Sequence, residues 1–309
     1  MQRTIFVTVS DDRCGRKGGM YGKTQDKVFE FLSVDNPSFG ITDYLFLKFE
    51  DILKTDFYTK NKLTLDIADP NINGRCYKPY AILEGLTKIN DGDFLIYNDV
   101  SPELWKFIDT NKQIAENYRL DIIKELCVHN GGILTAAVES IIGTSLENYH
   151  RHEFYTLDRC IKRMGLEEYT SSIQHASGMV VLQKSEKTLR FVEEWLRYNL
   201  IDECASLGTV PDDPAVKIVA DFWGAECDRK LGHRHDQSIS GLLINKMNNK
   251  LVIAPASIYP MYNFLSYCIV GGPYHFIDSN QPKTNRILKL ALNHEKNIWE
   301  VETFDRHAT

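Results

Sequence analysis

The sequence predicts an α/β protein, and three observations carry that prediction. Short apolar runs with strand character alternate with amphipathic helical stretches through most of the chain. The first run, Thr4-Ile-Phe-Val-Thr-Val-Ser10, opens into a polar glycine-rich loop from Asp11 to Tyr21 and then a helical pattern. Strand, Gly-rich loop and helix in that order is how a nucleotide-binding α/β unit opens, although this loop matches neither GxGxxG nor the P-loop pattern. Hydrophobic residues make up 43% of the 309 residues and charged residues 25%, the balance of a globular chain that can bury a sizeable core.

Each element follows from local pattern. Val28, Phe29, Phe31 and Leu32 are expected on one side of the first helix. A second amphipathic helix spans about Lys78 to Lys88, and Asn90-Asp-Gly-Asp93 turns the chain into a strand over Phe94–Tyr97. Asn98-Asp99-Val100-Ser101 ends that strand, ahead of a short helix through Leu104 and Phe107. A helix over Leu120–Leu126 leads through Gly131-Gly132 into a strand at Ile133–Val138. Next come a strand at Gly178–Leu182, a helix at Thr188–Tyr198, a loop at Ser206–Pro214 and a helix from about Gln237 to Met247. A basic helix is expected near Arg286–Lys289. No linker or repeat divides the chain, so residues 1–309 are expected to form one domain.

Charge and cysteine content narrow the function. A formal net charge of −6 disfavours broad binding to nucleic acid, which needs clustered positive charge. Seven cysteines stand singly with no CxxC pair, which suggests free thiols in a reducing compartment rather than a zinc knuckle. The N-terminal segment has no basic region followed by an apolar one, and no apolar run approaches the ~20 residues that span a bilayer. A cytoplasmic protein without a transmembrane segment is expected, with peripheral membrane contact left open.

Three constellations point to chemistry. Asp99 closes a buried strand, where ligands bind in open α/β sheets, and its carboxylate suits a ribose hydroxyl or, with a second carboxylate, a divalent cation. It equally suits a helix cap or turn. Gly232-His-Arg-His-Asp-Gln-Ser238 gathers groups for a charged, hydroxylated substrate, with Arg234 against phosphate and Asp236 beside the reacting sugar. The same residues read as a helix start with Asp236 or Ser238 as N-cap. Gln174-His-Ala-Ser-Gly178 brings small residues that let backbone approach a sugar ring, or else forms an ordinary loop before a core strand. Among the four tryptophans, Trp195 lies inside an amphipathic helix and is expected in the core.

Lys78-Pro-Tyr80 with Ile82 and Leu83, then Gly92-Asp93 and Tyr97-Asn-Asp99, resembles the WKPYIIL…GDxxxYxDxG stretch of a bacterial and viral glycosyltransferase family of glycan assembly. Tyr155-Thr-Leu-Asp158, Gln174–Leu182, Phe191–Trp195 and His233–Ser238 agree with that family in order. The chain is also similar, more distantly, to glycogenin-like retaining enzymes. The resemblance implies a GT-A-like nucleotide-diphospho-sugar fold with a mostly parallel central sheet flanked by helices. Residues 1–140 would form mainly the donor half and 141–309 mainly the acceptor and catalytic half.

It also implies roles. Ser10, Asp11, Tyr21, Lys78, Asn98, Asp99, Ser101 and Arg234 would hold the nucleotide sugar, with a UDP-sugar favoured. His175, Ser177, Gly178 and His235 would border the sugar or acceptor pocket, and Asp236 and Gln237 would be catalytic. The acceptor would be a hydroxyl of a glycan or glycolipid, and a retaining course is favoured over an inverting one. Two departures bear on mechanism. Ser101 stands where the family's DxD motif has its second Asp, so Mn²⁺ or Mg²⁺ at Asp99 loses a ligand. A basic side chain, Arg13, Lys17, Lys23, Lys78 or Arg234, would then offset the departing diphosphate. Tyr77 replaces the family's tryptophan. The altered motif leaves a catalytically degenerate nucleotide-sugar-binding protein as the alternative, and a nucleotidyltransferase as a third, disfavoured one.

Overall fold

In the structure, a computed structural model of the chain, the described residues are 2–13, 21–35, 40–67, 75–100, 120–137, 151–205, 233, 235–247, 251–254, 275–278, 286–293 and 298–305. They form an α/β architecture with a mixed sheet. The elements are β1 (Thr4–Ser10), α1 (Tyr21–Glu30), β2 (Asp43–Lys48), α2 (Phe49–Ile52), α3 (Asp56–Lys60), α4 (Lys62–Leu65), α5 (Tyr77–Thr87) and β3 (Phe94–Asn98). There follow α6 (Leu120–His129), β4 (Ile133–Ala137), α7 (His152–Tyr155), α8 (Asp158–Met164), β5 (His175–Gln183), α9 (Glu186–Asn199), α10 (Asp202–Ala205) and α11 (Asp236–Lys246). The chain then adds β6 (Leu251–Ala254), β7 (His275–Asp278), β8 (Arg286–Asn293) and β9 (Ile298–Asp305).

Strand order is β2-β1-β3-β5-β4-β6-β7-β8-β9. The mostly parallel sheet expected from the sequence is corrected to a mixed one. β1 pairs in parallel with β2 and β3, and β4 with β6, but β5 inserts antiparallel between β3 and β4. From β6 to β9 every neighbour is antiparallel. The reversal of β5 matters for the site. It carries the start of β5, rather than its end, to the edge where β1 and β3 finish.

Burial explains why these segments are strands. All seven residues of β1 and all five of β3 are buried, as expected for inner strands covered on both faces. α5 lies across them, and Gly85 is where it comes closest. A Cβ there would sit 2.7 Å from both Leu95 Cδ1 and Val7 Cγ2. Close approach at Gly85 packs the C-terminal part of α5 directly onto β1 and β3. α9 opens with a capping box in which the Ser185 side chain accepts from Thr188 N, and it buries Phe191, Val192 and Trp195.

Several expectations are corrected. Asp43–Lys48, which its own pattern does not single out, forms edge strand β2, half-buried at every position. Phe29 does not join Val28, Phe31 and Leu32 in the core. It is exposed and packs edge-on against Tyr44 and Phe46, since one residue of helix turns it about 100° from Val28. The basic helix near Arg286 is strand β8, paired with β9 over its whole length. Leu288, Leu290 and Leu292 recur with period two, and that period outweighs the local basic character. The predicted loop at Gln174–Gly178 is mostly strand, since β5 already begins at His175. Val138, the helix through Leu104 and Phe107 and the loop Ser206–Pro214 lie outside the described residues. Among the described residues no helix is long and apolar enough to cross a membrane, and Cys76, Cys127, Cys160 and Cys204 are free and buried.

Candidate functional site

Four residues from distant segments meet at the carboxyl edge of β1 and β3. Lys78 comes from the first turn of α5, Asp99 from the residue after β3, Ser177 from the start of β5 and Asp236 from the first position of α11. The Lys78 ammonium lies 3.0 Å from Asp99 Oδ2, 2.8 Å from Asp236 Oδ2 and 3.2 Å from Ser177 Oγ. Ser177 Oγ in turn donates to Asp236 Oδ2 at 2.7 Å. An ammonium has three N–H donors, and three oxygens surround this one. Tyr97 adds an O–H bond to Asp99 Oδ1 at 2.8 Å, and Asp99 N donates to Gly178 O at 2.8 Å, which ties β3 to β5 across the site.

Burial and charge act against each other here. Removal from water alone would raise the pKa of Asp236 and lower that of Lys78. The Lys78 and Arg75 charges and the Lys78 and Ser177 hydrogen bonds instead hold Asp236 below the ordinary carboxylate value. Asp236 and Asp99 together hold Lys78 above the ordinary lysine value, despite full burial and the opposing charge of Arg75. Both groups are therefore charged at neutral pH. Burial, with the Asp99 charge second, pushes the Tyr97 phenol well above its usual value, so it stays a donor.

The backbone is strained at two places beside this cluster. Arg75 (φ 55°) and His235 (φ 47°) are the non-glycine residues with positive φ among those described. Each lies within three residues of a cluster member, Arg75 ahead of Lys78 and His235 directly ahead of Asp236. Such conformations cost about 1–3 kcal/mol and concentrate at functional sites. His235 is the N-cap of α11 and its side chain makes no cap bond, so neither Asp236 nor Ser238 is the cap considered from sequence. The Trp195 indole, buried as expected, donates to the Asp236 carbonyl at 3.0 Å and pins that first turn to α9.

The other candidates are placed as follows. Ser10 ends β1, buried, with its hydroxyl 3.1 Å from Gln25 Oε1. Asp11 grips Arg13 through both carboxylate oxygens, at 2.9 and 2.7 Å, and the Arg13 guanidinium lies 3.2 Å over the Phe49 ring. Tyr21 is half-buried at the start of α1, and Lys23 is exposed. Asn98 is buried, its amide 2.6 Å from the Asp99 carbonyl. His235 is buried and meets His233 edge-on at 5.2 Å between centroids. Gln237 is half-buried beside Asp236. Ser101, Arg234 and Lys17 lie outside the described residues.

His175 is held within the core. Its ring is buried, with Nδ1 2.8 Å from Thr135 Oγ1 and Nε2 3.1 Å from Asn245 Oδ1. Asn245 Nδ2 donates to Ile173 O, which turns Oδ1 toward the ring, so Nε2 carries the proton. Burial lowers the His175 pKa to about 4, and a neutral imidazole here ties β4, β5 and α11 together. His233 is likewise engaged at both nitrogens, by Leu157 N and Cys204 O.

The divalent cation that the resemblance implies does not fit the described residues. Lys78 and Tyr97 engage both oxygens of Asp99, and Lys78 and Ser177 converge on one oxygen of Asp236. No group of three His, Cys, Asp or Glu suited to a metal occurs among the described residues. Sequence reasoning gave no site role to Tyr97 or Arg75, and took Gln174 only as the start of a small-residue segment. Tyr97 was visible in the quoted motif. Arg75 gave no signal, since its importance lies in a backbone angle, and the side-chain role of Gln174 depends on partners far along the chain. Comparison with known proteins finds no family model, no curated protein and no solved structure that matches this chain.

Proposed function

We propose that this chain is a glycosyltransferase on a GT-A-like fold, moving a sugar from a nucleotide-diphospho-sugar to a hydroxyl of a glycan or related acceptor. The observation that carries the reading is the Lys78–Asp99–Asp236 cluster at the carboxyl edge of the parallel strands. The nucleotide lies across the strand ends near Ser10 and Tyr21. Asp99 is the exposed member of the cluster, with 43% of its side chain open, and accepts from a ribose hydroxyl. Lys78 has no donor to spare for phosphate, so its role is to hold Asp99 and Asp236 in place. Positive charge for the departing diphosphate comes from Arg75, close enough to Asp236 to lower its pKa. Asp236, ionised and almost fully buried, stabilises positive charge developing on the sugar, with Gln237 beside it.

A thermal-shift screen tests this reading with UDP-, GDP-, CMP- and dTDP-sugars, each with Mn²⁺ and with EDTA. Stabilisation by one nucleotide family, undiminished in EDTA, is expected. No shift with any donor would overturn it.

A further inference from the structure

Gln174 is fully buried, and its amide can point only one way. Nε2 lies 3.0 Å from the Tyr155 carbonyl, 2.9 Å from Thr156 Oγ1 and 3.1 Å from Ser238 Oγ. A carbonyl only accepts, and Ser238 Oγ spends its own proton on the same Tyr155 oxygen at 2.9 Å. The nitrogen must therefore face this trio of oxygens, and Gln174 Oε1 faces the opposite way. There it accepts from Gln237 Nε2 at 3.0 Å. Turning the Gln237 amide over would set two carbonyl oxygens against each other and leave the buried Gln174 Oε1 without its donor. The polarity passes along the chain of amides, and Gln237 keeps Oε1 as the end with no partner among the described residues.

We propose that Gln174 is a positioning residue that fixes Gln237 as a hydrogen-bond acceptor, so that Gln237 meets a hydroxyl of the bound sugar and not a phosphate oxygen. This deepens the nucleotide-sugar reading and rests on it for the ligand's identity. It divides the site by polarity. The sugar's hydroxyl groups face the first turn of α11, and the diphosphate faces Arg75.

The test measures binding of UDP, GDP and dTDP and of their glucose or mannose conjugates by calorimetry, in EDTA. Wild-type protein, Gln174→Met, Gln237→Met and the double variant are compared. One hydrogen bond to a hydroxyl corresponds to about three- to tenfold in affinity. The wild type should bind the sugar conjugate tighter than the bare nucleotide by at least that factor. Gln174→Met should retain bare-nucleotide affinity within about twofold and lose the sugar increment, and the double variant should lose no more, as coupled residues do. An increment that survives in Gln174→Met, or a loss that falls equally on the bare nucleotide, overturns the proposal. A second readout needs no ligand: one Gln237 side-chain amide proton should exchange slowly by NMR in the wild type and quickly in Gln174→Met. Slow exchange in both, or fast exchange in both, also overturns it. Failure of every nucleotide to bind the wild type would instead remove the nucleotide-sugar reading, and with it the sugar assignment of Gln237. The NMR result would still decide whether Gln174 sets the amide.

Discussion

Asp11 follows β1 and Asp99 follows β3, two parallel neighbours, so both carboxylates reach the same edge of the sheet. Asp11 closes on Arg13, two residues away, and only 2% of its side chain is exposed. Asp99 reaches Lys78, 21 residues away, and through it Asp236 from the far part of the chain, while 43% of its side chain stays open. The first carboxylate is consumed by a local turn and a cation stacked on Phe49. The second is held in place and still open to solvent. Position at a strand end therefore does not by itself leave a carboxylate accessible. What decides is whether the partner comes from the same turn or from another element.

That contrast can be broken or sharpened experimentally. The largest effect is expected on turnover. Asp236→Asn preserves the side chain's shape and removes the charge, and should cut turnover by about three orders of magnitude, in the range seen when a preorganised electrostatic group is lost. Asp11→Asn should change turnover by less than about threefold in the same assay, within the small effect of a charge that meets no reacting atom. Equal losses would erase the distinction between the two acids.

Lys78→Met comes next. It leaves two carboxylates around one methyl group, and breaking a buried ion pair by removing one partner costs about 3–5 kcal/mol. Urea titration should show that loss at pH 7. The sign with pH follows from the shifts. Asp236, lowered on folding, contributes stability above the ordinary carboxylate pKa and loses it as the pH falls through its folded value. Lys78, raised on folding, contributes below the ordinary lysine pKa and loses it only above that range. In Lys78→Met the burial of Asp236 is no longer offset by the ammonium, so its carboxyl takes up a proton more readily, and the difference between wild type and variant should shrink as the pH falls.

His175 gives a pH effect without the charge cluster. Its folded pKa of about 4 lies below the ordinary value of 6.5, so the unfolded chain binds the proton first. Stability should fall as the pH drops from about 6.5 toward 4, by roughly 3 kcal/mol in all. His175→Gln should flatten that slope in a melting series across the same pH range. An unchanged slope would assign the acid sensitivity elsewhere. The smallest effect belongs to the local pair: Asp11→Asn should cost about 1 kcal/mol in urea titration, since Arg13 keeps the Leu65 carbonyl and the Phe49 ring.

How much of this was legible in the sequence depended on range. β1, β3, α5, α6, β4, α9 and α11 could be placed from periodicity, because each is decided by its own apolar spacing. β2 was not placed: Asn36-Pro37-Ser38 and Gly40 mark off its start, but its six residues are too short and too lightly buried to stand out by period. Lys78, Asp99, Ser177 and Asp236 each stood out at a strand end or helix start, but nothing local shows that they converge. Lys78 and Asp236 touch across 158 positions because β5 reverses between β3 and β4. The setting of His175 was not legible for the same reason. Its neighbours in sequence suggest a pocket, whereas Thr135 and Asn245 draw its ring into the core.

The most direct measurement is release of nucleoside diphosphate from the stabilising nucleotide sugar, followed by chromatography for the wild type and Asp236→Asn, with and without a glycan acceptor. The account predicts release by the wild type that rises with acceptor and nearly vanishes in Asp236→Asn, while the variant still binds the donor. No release by the wild type, or equal release by both proteins, would contradict it.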